Sequence, residues 1–242
     1  MDKSIIVCGD IHGYWRYLNT LINKKRPKLV LQCGDWGWWP KIQSKPFVKN
    51  GVRYSGFNSF GVKAGKTKII FADGNHEDHS SLDCLDYLEL SELYHNVFYA
   101  KRGTTYILPD GRVVLFMGGA ASIDKAARTP GVDWFPQEVL TLSELYKLEE
   151  CKLDRIDIVI SHTCPQEFNE SLKLKQPYGG WEHKFRDTSQ EVLSELLHWY
   201  KPSLWYFGHF HIHMEGLFKE TGTKWVCLNE TSNTNWWKYL DN

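Results

Sequence analysis

No apolar run in this chain is long enough to cross a bilayer, so a helical membrane span is excluded. Net charge is absent as well: 29 lysines and arginines balance 29 aspartates and glutamates. That balance argues against a bulk electrostatic grip on long nucleic acid. It leaves room for a local positive site of the kind a bound metal ion would supply. None of the six cysteines (Cys8, Cys33, Cys84, Cys151, Cys164 and Cys227) forms a C-x-x-C pair. A zinc ribbon or a thioredoxin-type motif is therefore not expected. Several of the cysteines lie in or beside apolar runs, where a free thiol behaves as a small hydrophobe. The expected compartment is reducing and cytoplasmic. Met1-Asp2-Lys3 leads straight into an apolar strand, and no signal peptide is expected. There is no repeat, no low-complexity tract and no composition shift that would mark a linker. The expectation is one domain over residues 1–242, long enough to bury a full core without disulfides.

What is present is a series of short apolar runs. Ser4 to Cys8, Lys28 to Cys33, Lys68 to Ala72, Ile156 to Ile160 and Ser203 to Phe207 read as buried strands. Helical spacing follows the first, over Tyr14 to Lys25, and Arg26-Pro27 ends it. Strand, helix and strand within about thirty residues make a βαβ unit with parallel strands. Further helices are expected over Ser80–Leu90, Thr141–Glu150 and Thr188–Tyr200. In the second of these Thr141 and Glu144 form a capping box. Hairpins are expected around Pro109-Asp110-Gly111 and around Glu220 to Thr223. Residues 36–66, 123–139 and 163–187 read as long loops, which in compact domains are usually functional or mobile. Hairpins between and after the βα units predict an α/β fold of the α+β type. Two mixed β-sheets would stack together with helices outside.

Five of the apolar strands end in polar residues of metal-ligand type. The first ends in Gly9-Asp10-Ile11-His12-Gly13 and the second in Gly34-Asp35. The others end in Gly74-Asn75-His76-Glu77, in Ser161-His162 and in Gly208-His209-Phe210-His211. Taken alone, Asp10 and His12 read more readily as an Asx-turn with a surface histidine than as a site. Five strands presenting oxygen and nitrogen donors at one end are hard to obtain by chance. Ligands in α/β proteins gather at the carboxyl ends of strands. Donors of this type without thiolate suit manganese, iron or zinc.

This ordered set, D-x-H, G-D, G-N-H-E, H and G-H-x-H, resembles the calcineurin-like metallophosphoesterases. The resemblance spans residues 9 to 211 and implies two stacked β-sheets flanked by helices, a four-layer αββα sandwich. It implies two divalent ions, Mn²⁺, Fe²⁺ or Zn²⁺. Asp10, His12 and His211 would hold one, Asn75, His162 and His209 the other, and Asp35 would bridge them. His76 would face the substrate, and Glu77 would orient His76. The implied chemistry is phosphoester hydrolysis by attack of a hydroxide that bridges the two ions. His76 would protonate the leaving oxygen or stabilise phosphoryl charge.

The chain departs from the protein Ser/Thr phosphatases of that superfamily. Those carry an arginine after the second aspartate and another before G-N-H-E. Here the stretches read Gly34-Asp35-Trp36-Gly37-Trp38-Trp39 and Ala72-Asp73-Gly74-Asn75. Without that bidentate clamp, a phosphomonoester or phosphodiester of a small molecule or nucleotide is the expected substrate. Lys125 and Arg128 are candidate phosphate contacts, or else solvated surface charges. Trp36, Trp38, Trp39, Trp134 and Trp181 are candidates for base stacking, or else loop anchors in the core. The alternatives are a nuclease of the same superfamily and a non-catalytic scaffold for protein partners.

Overall fold

A computed structural model describes residues 4–40, 47–49, 52–54, 61–83, 90–150, 153–173 and 186–241. The first expected strand is β1, Ile5–Cys8, and all four of its residues are buried. A strand without a polar face must be covered on both sides. Helix α1, Trp15–Lys25, covers one side with Trp15, Leu18, Leu21 and Ile22. It ends where Arg26 turns left-handed and returns its N–H to the Ile22 carbonyl. β2, Leu29–Gln32, then runs parallel to β1, as the βαβ reading requires.

The remaining strands fall in chain order. β3 (Phe47–Lys49) and β4 (Val52–Tyr54) make a separate hairpin inside the expected loop 36–66. β5 (Lys68–Phe71), β6 (Leu90–Tyr94) and β7 (Val97–Ala100) join the sheet of β1 and β2. β8 (Thr105–Ile107), β9 (Val113–Met117), β10 (Ile158–Ser161), β11 (Leu204–Phe207), β12 (Met214–Phe218) and β13 (Thr223–Cys227) form a second sheet. β14 (Trp237–Tyr239) returns to the first.

The two sheets have the same plan. Their orders are β14-β1-β2-β5-β7-β6 and β12-β13-β11-β10-β9-β8. In the first, β1, β2, β5 and β7 are parallel, and β14 and β6 are antiparallel edges. In the second, β13, β11, β10 and β9 are parallel between antiparallel β12 and β8. Parallel inner strands place their carboxyl ends on one rim, and the donor turns follow those ends.

Strand side chains alternate between two cores. Val7, Leu31 and Ile70 face Phe116, Ile160 and Tyr206 between the sheets. Ile6, Val30, Ile69 and Phe71 face α1 on the outside. On the far side Leu115, Val159, Trp205 and Phe207 meet three helices. These are α3 (Leu142–Glu150), α4 (Gln166–Lys173) and α5 (Thr188–Tyr200). The layers are therefore helix, sheet, sheet and helix, the expected α/β sandwich.

Three sequence expectations need correction. Of the helix expected over Ser80–Leu90, the described residues show one turn, α2, His79–Leu82, and Leu90 already belongs to β6; residues 84–89 lie outside the described residues. Asn96 takes left-handed backbone (φ 59°) and reverses the chain, so residues 90–94 pair with β7. The expected loop 163–187 contains α4, which starts after Pro165 and buries Phe168 and Leu172. The expected loop 123–139 contains two short 3₁₀ turns, Lys125–Ala127 and Pro136–Glu138. Trp181 of the tryptophan set lies outside the described residues.

Candidate metal centre

The donor turns are bonded to one another before any ligand is considered. Ile11 and His12 donate their N–H groups to the Asp35 carbonyl, and Gly13 donates to Trp36. Across the second sheet, Gly208 donates to the His162 carbonyl. His209 N–H reaches between the sheets to both Asp10 oxygens, at 3.0 and 3.1 Å. His12, Asp35, His209 and His211 all have left-handed backbone, with φ of 49°, 50°, 67° and 50°. Such conformations cost of order 1–3 kcal/mol in a non-glycine residue and cluster at functional sites. Here they fold each donor back over the rim instead of outward.

Two glycines make room for this. A Cβ on Gly208 would lie 2.0 Å from Asp10 Oδ1. A Cβ on Gly34, whose φ is +88°, would lie 2.5 Å from His162 Nδ1. The motif glycines are therefore spaces that the donors fill.

The donors form two groups that share Asp35. Atoms of Asp10, His12, Asp35 and His211 all lie within 4.8 Å of one another. His211 Nε2 is 3.0 Å from Asp10 Oδ2 and 3.1 Å from His12 Nε2. In the second group Asn75 Oδ1 is 2.9 Å from His162 Nε2 and 3.1 Å from His209 Nδ1. Asp35 turns Oδ2 to His12 Nε2 at 3.7 Å and Oδ1 to His162 Nε2 at 3.4 Å. Donors about 2.1 Å from one cation, on an octahedron, lie about 3.0 Å apart. The spacing and donor chemistry of the first group thus fit a divalent ion.

Surrounding bonds fix the direction of these donors. His162 Nδ1–H donates to the Cys33 carbonyl at 2.8 Å. Nε2 is thereby the nitrogen that faces Asn75, the usual anchoring of a histidine whose other nitrogen takes a metal. Burial works against charge on Asp35, but the imidazoles of His162, His76 and His12 hold its carboxyl well below the usual range. Burial likewise opposes charge on His162, yet the Asp35 carboxylate pushes it up to about 10. Burial, reinforced by His162, pushes His209 down to about 3. The hydrogen bond with Asp10 raises His211.

His76 lies beside both groups. Its N–H donates to Asp35 Oδ1 at 2.8 Å, and its ring lies edge-on to His12 at 5.4 Å. Burial lowers its pKa, with Arg128 adding to the effect. The Arg128 guanidinium lies against the His76 ring nitrogens and is also paired to Asp124. Arg128 is thus brought to the site, whereas Lys125 Nζ lies over the Trp134 ring, 4.2 Å from its centre.

Glu77 points elsewhere than its implied role suggests. Its buried carboxylate accepts the backbone N–H groups of Trp36, Gly37 and Trp38, the Trp36 bond being 2.6 Å. Burial pushes it up to about 8. It ties down the turn after Asp35.

The tryptophans divide. Trp36 is core, 1 % exposed and stacked on Phe71 at 4.9 Å. Trp38 is anchored through Nε1–H to Ser81 Oγ at 2.8 Å. Trp39 lies 6.4 Å from the Phe135 ring. For these residues the loop-anchoring alternative holds.

Two buried residues escape the sequence reading, Ser122 and Glu138. Ser122 Oγ accepts from Asn75 Nδ2 at 3.0 Å and donates to Glu138 Oε2 at 2.7 Å. Ser122 follows the end of β9. The strand-end rule that found the other donors, applied to β9, would have pointed to it. Glu138 lies on a 3₁₀ turn and carries no such signal.

A family model described as calcineurin-like phosphoesterase matches residues 3–213. A lariat debranching enzyme from Gallus gallus is 25% identical over 86% of this chain and 42% of its own length. The chain therefore spans less than half of that relative. One solved structure superposes with a TM-score of 0.56 at 11% identity, covering 96% of this chain and 92% of that one. The phosphopantetheinyl hydrolase of Mycobacterium tuberculosis gives a TM-score of 0.48 at 11% identity, covering 98% and 95%. The family model begins before Asp10 and ends beyond His211, taking in every donor turn, and the chain belongs to the calcineurin-like phosphoesterase family.

Proposed function

We propose that this chain is a dinuclear, metal-dependent phosphoesterase acting on a phosphomonoester or phosphodiester of a small molecule or nucleotide. The observation that carries the reading is the pair of donor groups sharing Asp35, one carboxylate oxygen turned to each. Asp10, His12 and His211 would hold one cation and Asn75, His162 and His209 the other. Manganese, iron and zinc all suit these donors. When bound, the cations supply a hydroxide nucleophile near neutral pH and neutralise the phosphoryl oxygens of an in-line displacement. The chain's own groups do the rest. Arg128 brings a guanidinium to the phosphoryl oxygens, replacing the arginines that the sequence lacks after Asp35 and before Asn75. His76 offers a ring N–H to the leaving oxygen.

The four described free cysteines, Cys8, Cys33, Cys164 and Cys227, are all buried. Their placement supports a reducing, cytoplasmic setting. Among the described residues no helix is long and apolar enough to cross a membrane.

The test is turnover of bis-p-nitrophenyl phosphate and p-nitrophenyl phosphate by Mn²⁺-loaded protein. Hydrolysis of at least one is expected, and their ratio separates diesterase from monoesterase. Two bound ions with no turnover of either would overturn the reading. A nuclease reading draws on the similarity to lariat debranching enzyme. Adding a lariat RNA to the substrate panel decides between them.

A further inference from the structure

We propose that Ser122 and Glu138 are positioning residues that set which way the Asn75 amide faces. The inference rests on the dinuclear reading above and extends it to residues outside the ligand set.

A side-chain amide has two nearly equal ends, an oxygen that binds a cation and an NH₂ that cannot. Nothing in the shape of Asn75 decides which end faces His162 and His209. The decision lies with Ser122. Glu138 accepts twice from this one residue, at Oε1 from Ser122 N–H (2.8 Å) and at Oε2 from Ser122 O–H (2.7 Å). The hydroxyl proton is therefore committed to Glu138. What Ser122 Oγ has left for Asn75 is a lone pair, which only the NH₂ end can use, at 3.0 Å. Asn75 Oδ1 is thereby turned to His162 Nε2 and His209 Nδ1, at 2.9 and 3.1 Å. Flipping the amide would bring its oxygen against a hydroxyl with no proton to give and its NH₂ toward the cation.

All three residues are buried: Asn75 4 %, Ser122 2 % and Glu138 1 % exposed. Away from water, a mismatched donor or acceptor keeps its full desolvation cost. The relay also joins the two sheets, since Asn75 follows β5 and Ser122 follows β9. Glu138 is itself held in place, because its carbonyl accepts from Ala120 N–H at 2.9 Å and Arg102 Nη2 at 3.0 Å.

The experiment is calorimetric titration of metal-free protein with Mn²⁺, resolving two sites. Ser122→Ala removes the lone pair. Glu138→Gln reverses it: the new carboxamide donates to Ser122, whose proton then turns to Asn75 and favours the flipped amide. The second site should weaken about 10- to 100-fold in both variants, the usual effect of losing a partner behind a ligand. The first site should keep its affinity, and Ser122→Thr, which retains the hydroxyl, should restore the second. Wild-type affinity at both sites in both variants overturns the proposal. Equal weakening at both sites, or failure of both variants to fold without metal, assigns the pair to general structure and also overturns it. Wild-type protein that binds fewer than two ions overturns the dinuclear reading itself.

Discussion

His76 and His79 lie three residues apart and meet opposite surroundings. His76 is beside the donors and touches Asp35, His12 and Arg128 without joining either group. His76→Ala should therefore leave two ions bound while turnover falls about 10²- to 10⁴-fold, the usual loss for a proton-handling group. Metal analysis with steady-state kinetics checks this, and loss of an ion would show that the role is wrong. His79 is buried, with Nε2–H on the Gly74 carbonyl at 3.0 Å. Burial pushes its pKa down to about 4, against 6.5 for an ordinary histidine. Between those values the unfolded chain holds a proton that the folded chain does not. Stability from this residue is complete above pH 6.5 and falls as the pH drops toward 4. The full difference is about 3 kcal/mol at about 1.36 kcal/mol per pKa unit. Urea midpoints of metal-free protein between pH 7 and 4.5 should fall more steeply for wild type than for His79→Gln.

Among the described residues, Arg102 ties several elements together. It follows β7 and donates to Asp73 after β5, through Nε at 2.9 Å and Nη2 at 2.7 Å. It also donates to the carbonyls of Gln137, Glu138 and Val139 and to Glu144 of α3. Burial opposes the Asp73 charge, but Arg102 overrides it and holds the carboxyl below its usual range. Arg102→Ala should cost about 3–5 kcal/mol, because it leaves a buried carboxylate without its partner. Arg186→Ala, which breaks an exposed pair with Glu191, should cost under about 1 kcal/mol. Chemical denaturation of the two variants measures the contrast. Glu144 serves twice, since it also accepts from Thr141 N–H at 2.8 Å, one half of the expected capping box; the Thr141 hydroxyl donates to the same carboxylate at 3.0 Å, and Glu144 N–H goes to the Thr141 carbonyl.

At the scale of the molecule, the candidate centre lies across two sheets. Asp10, His12, Asp35 and Asn75 follow strands of the first, and His162, His209 and His211 follow strands of the second. A cation bound there would connect the halves of the sandwich. Mn²⁺ at 100 times its dissociation constant should stabilise the fold by about 2.7 kcal/mol per site. Thermal melts with and without the ion, and after EDTA, measure the gain. An unchanged midpoint under saturating Mn²⁺ would contradict the bridging geometry.

Strand identity and donor chemistry were legible in the sequence because both are local. IIVC and LVLQ are buried on both faces and read as uninterrupted apolar runs. Each donor follows its strand by a few residues, so chain order alone exposed the set. The edge strands β6 and β14 were not legible: pairing along one side only leaves a weak, mixed pattern. Nor was the turn of Glu77 toward the Trp36–Trp38 amides, which depends on how two separate turns approach. Arg128 was readable only as a charge on a loop, and packing brought it to His76. The sequence by itself determined where the oxygen and nitrogen donors stand along the chain. Tertiary structure decided which way they point, because direction is set by hydrogen bonds such as His162 to Cys33 and Asn75 to Ser122, whose partners are far apart in the chain.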